Sequence, residues 1–166
     1  MNAVEMARKM ETDAIGFYTE AAGRTAYPAG KKMFETVAED EKKHLEIVNR
    51  LLEGLDIHDE DVPPMKDIRT VFEEMKDEMM ERVKATSDEL EAFSIAVRME
   101  KEGVEFYRKL LSEARTEKEK KLFGKLLRAE LLHYDIFENT YNFLRDTGNW
   151  FMWEEHSIVD GGTPSA

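Results

Sequence analysis

An internal repeat constrains this chain more than any other feature. The phrase Glu41-Lys42-Lys43-His44 returns 89 residues later as Glu130-Leu131-Leu132-His133. Upstream, Met10-Glu11 with Phe17-Tyr18 returns at the same offset as Met99-Glu100 with Phe106-Tyr107. Ala3 and Ala7 match Ala92 and Ala96, and Lys31, Lys32 and Phe34 match Lys120, Lys121 and Phe123, all without a gap. The halves 3–52 and 90–141 must therefore fold alike. In each, acids interrupt a stripe at helical spacing: Phe34, Val37, Glu41, Leu45, Val48, Leu52 in the first, and Leu126, Leu127, Glu130, His133, Phe137, Tyr141 in the second. A carboxylate on a face that its helix buries is costly unless something cationic meets it.

With 166 residues, 42% of them hydrophobic, the chain can bury one core but not two. Only 9 glycines and 4 prolines, beside 36% charged residues and no strand-like alternation, predict an all-α protein. Helical periodicity and capping signals place helices over about 2–24, 28 or 31 to 52, 88–113 and 116–145. Thr86 with Glu89 and Thr116 with Glu119 are predicted capping boxes. The expected domain is a bundle over 1–146, with a linker over 53–88 and an aromatic tail over 147–166. The linker holds an acidic, Pro-closed turn around His58, read as a solvated loop, and an amphipathic segment over 65–83.

A net charge of −12 disfavours nucleic acid and anionic membranes, so neither is an expected partner. No long apolar run or signal-like segment stands at the N-terminus, and the expected location is cytoplasmic. The absence of cysteine excludes disulfides, thiolate metal sites and iron–sulfur clusters.

Within each half the lone acid and the Glu-x-x-His phrase are 30 residues apart, Glu11 to Glu41 and Glu100 to Glu130, with midpoints at Ala26 and Arg115. Equal arms of an antiparallel hairpin bring both groups to one height. Glu11 then faces Glu41 and His44, and Glu100 faces Glu130 and His133. Packing the halves about a two-fold axis gives four carboxylates and two imidazoles inside a four-helix bundle, a ligand set for two metal ions. Two divalent ions cancel the four negative charges, and two trivalent ions with one bridging oxide do so again, which suits oxygen or peroxide chemistry. Carboxylate and imidazole ligation fits two iron ions, with manganese or zinc as the other candidates. Tyr18 and Tyr107, two helical turns beyond the lone acids, are candidate catalytic groups that hydrogen-bond a ligand or donate electrons; a buried aromatic with a satisfied hydroxyl is the structural counterpart. Met6, Met10 and Met99 are expected as core filler.

These residues resemble the ferritin-like superfamily, and most closely the diiron domain of rubrerythrins, over about 3–52 and 90–141. The resemblance implies a bundle with a long crossover between helices two and three and reduction of hydrogen peroxide, or activation of oxygen, at two irons. In that family electrons arrive through a cysteine-ligated rubredoxin domain. Without cysteine, this chain would need a separate electron-donor protein. Rubrerythrins carry a further carboxylate where this chain has Gly103. Bacterioferritins place a haem-binding Met where this chain has Lys42, so no haem is expected. The long linker permits a homodimer that exchanges halves. Ferroxidase or iron handling is the alternative activity, and a metal-free helical interaction module is the alternative of a different class.

Overall fold

The computed structural model describes residues 3–54 and 84–148. Four α-helices account for nearly all of them, α1 (Ala3–Arg24), α2 (Pro28–Leu52), α3 (Ser87–Glu113) and α4 (Glu117–Thr147), with no β-strand among the described residues. Expectations about the crossover over 55–83 and the aromatic tail from 149 onward lie outside the described residues.

Local signals set the helix ends close to where the sequence puts them. Pro28 occupies the first turn of α2, where its missing N–H costs nothing. At α3, Thr86 accepts from the Glu89 N–H at 3.1 Å while the Glu89 carboxylate accepts from the Thr86 N–H at 3.0 Å, a complete capping box. The box predicted at α4 is only half formed. Thr116 accepts from the Glu119 N–H, but the Glu119 carboxylate reaches one residue further back, to the N–H of Arg115 at 2.9 Å. Gly148 closes α4 at φ 71°, a left-handed conformation that glycine adopts without a Cβ clash.

Helices α1 and α2 pack as one hairpin and α3 and α4 as another, and α1 contacts α3. The core is divided in two. An upper cluster gathers Tyr18, Phe34, Phe93, Ile136 and Phe137, and a lower one gathers Ile47, Tyr107, Leu110, Leu122 and Leu126. Ring centroids in the upper cluster lie 4.7 Å apart for Phe34 and Phe93 and 5.4 Å for Tyr18 and Phe137, within the range of attractive aromatic packing. The end of α2, through Ile47 and Leu51, sits in the lower cluster, while Phe93 near the start of α3 sits in the upper one. Helix α3 therefore begins at the opposite end from where α2 stops, the two ends being separated by about the 37 Å length of the 25-residue α2. This is the ferritin-like four-helix bundle. Met6 departs from expectation: it is 48% exposed and fills no core, because it lies on the outer face of α1.

Candidate metal centre

The layer between the two apolar clusters is polar. Glu11, Glu41, His44, Glu100, Glu130 and His133, the six residues singled out from the repeat, all lie in it and all are at most 3% exposed. They form two overlapping groups, Glu11, Glu41, His44 and Glu130 in one and Glu41, Glu100, Glu130 and His133 in the other, with donor atoms within 4.8 Å of one another in each. Glu41 and Glu130 belong to both. That sharing is the arrangement two adjacent ions need, with one terminal carboxylate and one imidazole each and two bridging carboxylates.

The contacts inside the layer do not resemble ordinary ion pairs. The His44 Nδ1 lies 2.8 Å from Glu41 Oε2 and 3.0 Å from Glu130 Oε1, yet none of these three atoms has a hydrogen-bond partner. The His133 Nδ1 and the Glu100 Oε2 are likewise buried without one, 3.7 Å apart. Atoms that come this close without hydrogen-bond alignment converge on common points rather than on each other. Left so, each would carry a desolvation penalty of about 1–3 kcal/mol, more if charged. The donor set of carboxylate oxygens and imidazole nitrogens fits iron or manganese.

Electrostatics without cations is correspondingly perturbed. Burial, with the charge of Glu41, pushes Glu11 up to about 8. Burial and the charges of Glu100 and Glu41 hold Glu130 well above the usual carboxylate range. For Glu41 burial acts upward but is outweighed by the charge of His44 and by the close polar contacts with its neighbours, so it ionises more readily than usual. Burial opposes charging of both imidazoles, yet Glu41 and Glu11 around His44, and Glu100 with Asp40 around His133, hold their values well above the usual one. Protons thus stand in for the positive charge that four neighbouring carboxylates require.

Both tyrosines reach the layer by crossing the bundle. Tyr18 of α1 donates to Glu100 Oε1 of α3 at 2.5 Å, and Tyr107 of α3 donates to Glu11 Oε1 of α1. Because α1 and α3 are antiparallel, a tyrosine two turns along one helix meets the lone acid of the other. Burial first, and then the charges of Glu100 on Tyr18 and Glu11 on Tyr107, hold both phenols far above their usual value, so they stay protonated and donate.

One participant escaped the sequence reading. Asp40 is 1% exposed, and its Oδ2 lies 2.9 Å from His133 Nε2. In the neutral ring this contact favours the proton on Nε2, so that Nδ1, the nitrogen facing Glu41 and Glu100, would be the one free to take a metal once its own proton is displaced. The repeat does not duplicate it: 89 residues after Asp40 stands Ala129, and His44 Nε2 has no hydrogen-bond partner. A comparison of the halves for acids present in only one of them returns Asp40 together with Glu5, Glu20, Glu35 and Glu39, so the sequence alone does not single it out. Gly103 has a local role as well. A Cβ there would lie 2.9 Å from Glu130 Oε2, so the glycine makes room for a carboxylate of the centre.

The sequence profile of the rubrerythrin family matches residues 2–141, most of the chain and all six residues of the layer. The chain belongs to the rubrerythrin family. No curated protein and no solved structure gives a significant match to it. As a rubrerythrin-family domain it is a diiron-type bundle whose buried Glu and His cluster suits a dinuclear metal site. No helix among the described residues is long and apolar enough to cross a membrane.

Proposed function

We propose that this rubrerythrin-family protein is a non-haem diiron oxidoreductase that reduces hydrogen peroxide or activates oxygen. The supporting observation is the set of buried donor atoms that approach to hydrogen-bond distance without bonding and fall into two groups sharing Glu41 and Glu130. Glu11 and His44 would hold one ion, Glu100 and His133 the other, and Glu41 and Glu130 both. Bound iron supplies one electron per ion to a two-electron reduction. The chain's own residues do the rest. Tyr18 and Tyr107 fix the terminal carboxylates through their hydroxyls, and Asp40 fixes the His133 tautomer. The two apolar clusters above and below keep bulk water from the layer, which strengthens every charge interaction inside it. In this reading replacement electrons come from a separate donor protein, because these 166 residues hold no cysteine to ligate an electron-transfer iron.

The test is anaerobic loading with ferrous iron followed by single-turnover oxidation with peroxide and, separately, with oxygen. Absorbance of the oxidised centre should grow faster with peroxide. A much slower response to peroxide than to oxygen would count against the peroxidase reading.

A further inference from the structure

Between α1 and α3 a cavity of about 250 Å3 opens over the polar layer. Its floor is formed by the four carboxylates of the centre, three of which carry a buried oxygen with no hydrogen-bond partner, and neither His44 nor His133 lines it. The carboxylate side of the centre therefore faces the cavity and the imidazole side faces away. Its walls include Met10, Met99, Ala14 and Gly103, which pair across the repeat as Met10 with Met99 and Ala14 with Gly103. Ala14 adds little bulk to the wall, the room beside Gly103 is taken by the Glu130 carboxylate, and both thioethers present adaptable apolar surface.

The cavity is larger than hydrogen peroxide requires. A water molecule occupies about 30 Å3 in the liquid, and a peroxide of roughly two such volumes would fill only part of the cavity. We propose that the centre also accepts small neutral organic hydroperoxides, entering from the carboxylate side through this cavity, with the alkyl group toward the walls that carry Met10 and Met99. This rests on the function proposed above and names a wider substrate class for the same site. The O–O bond breaks; one oxygen leaves as the alcohol and the other as water, taking up two protons and two electrons, one from each of two ferrous ions. Glu102 at the rim and the net charge of −12 select a neutral head group over an anionic oxidant.

The experiment uses ferrous-loaded protein, tert-butyl hydroperoxide and hydrogen peroxide in parallel single turnovers. Both should oxidise the centre, with one tert-butyl alcohol formed per centre. Met99→Trp and, separately, Ala14→Leu narrow the cavity and should lower the ratio of organic to hydrogen peroxide rates about tenfold or more, the scale on which a tight apolar pocket discriminates. A readout independent of turnover is saturation-transfer NMR of tert-butyl alcohol on zinc-loaded protein, with a signal expected for the wild type and lost in Met99→Trp. Two variants at different walls guard against one that fails to fold. A centre that reacts with hydrogen peroxide but not with tert-butyl hydroperoxide overturns the wider substrate class and leaves the peroxidase reading standing. Failure to react with either oxidant overturns both. Absence of the NMR signal from the wild type, or oxidation of Met10 or Met99 in place of the metal, also overturns the substrate proposal.

Discussion

Asp40 stands one residue before Glu41, which belongs to both groups of the polar layer, and points along a different face of α2, yet it is the group that contacts the His133 Nε2. Its removal takes away an orienting partner and none of the six candidate ligands. Asp40→Ala should therefore leave the helical content intact and weaken binding at the His133 position about 10–100-fold, the usual effect of losing a partner behind a ligating imidazole. Competition with a chromophoric chelator would measure it, and the two ions should separate into a tight and a weak step. Gly103→Ala makes an opposite pair of demands. Alanine favours the helix interior by up to about 1 kcal/mol, while its Cβ displaces the Glu130 carboxylate. The expected result is a metal-free protein at least as stable as the wild type that binds metal several-fold more weakly; undiminished affinity in the same titration would refute the role given to Gly103.

At the scale of the helix, the caps and the antiparallel arrangement of α1 and α3 decide how well the repeat converges. Thr86 serves a reciprocal box whose Glu89 is only 3% exposed, whereas Thr116 makes one bond in an exposed turn. Thr86→Ala should cost about 1 kcal/mol in chemical denaturation, and Thr116→Ala less. Equal losses would show that the buried partner adds nothing. Spacing along one helix set each tyrosine two turns beyond a lone acid and left open which ligand it bonds. Packing across the bundle pairs Tyr18 with Glu100 and Tyr107 with Glu11, because the sign of the helix direction is not contained in the period.

For the whole molecule, the polar layer couples folding to pH and metal. In metal-free protein Glu11 is held up to about 8, and Glu130, His44 and His133 are also raised, so between about pH 5 and 8 the folded state keeps protons that the unfolded chain has released. Its stability should fall as pH rises through that window. Glu41 acts oppositely, but its contribution is lost only as pH falls below the ordinary carboxylate range. Bound metal replaces those protons, so the melting-temperature gain on adding ferrous or zinc ion should grow with pH. At a free metal concentration a hundred times the dissociation constant, each bound ion adds about 2.7 kcal/mol of stability. Thermal scans at pH 5.5 and 8, with and without chelator, measure both slopes, and a metal-free protein stabilised by raising the pH would contradict the layer's electrostatics.

By itself the sequence determined the helix count, the helix limits to within a few residues and the six acids and imidazoles of the layer. Helical period, caps and an ungapped repeat are local quantities, and the repeat adds a relation between distant segments that physics must satisfy twice. That α3 starts beside the end of α1 was implied by the long crossover the family resemblance carries, and the tertiary structure shows it. From that direction follow the crossed tyrosines, the cavity between α1 and α3 and the space that Gly103 leaves for Glu130. Only the tertiary structure decided that Asp40, and nothing at Ala129, stands behind an imidazole. Which atom lies behind another depends on how helices rotate and face each other, and that is fixed by packing across the bundle rather than by any pattern along the chain.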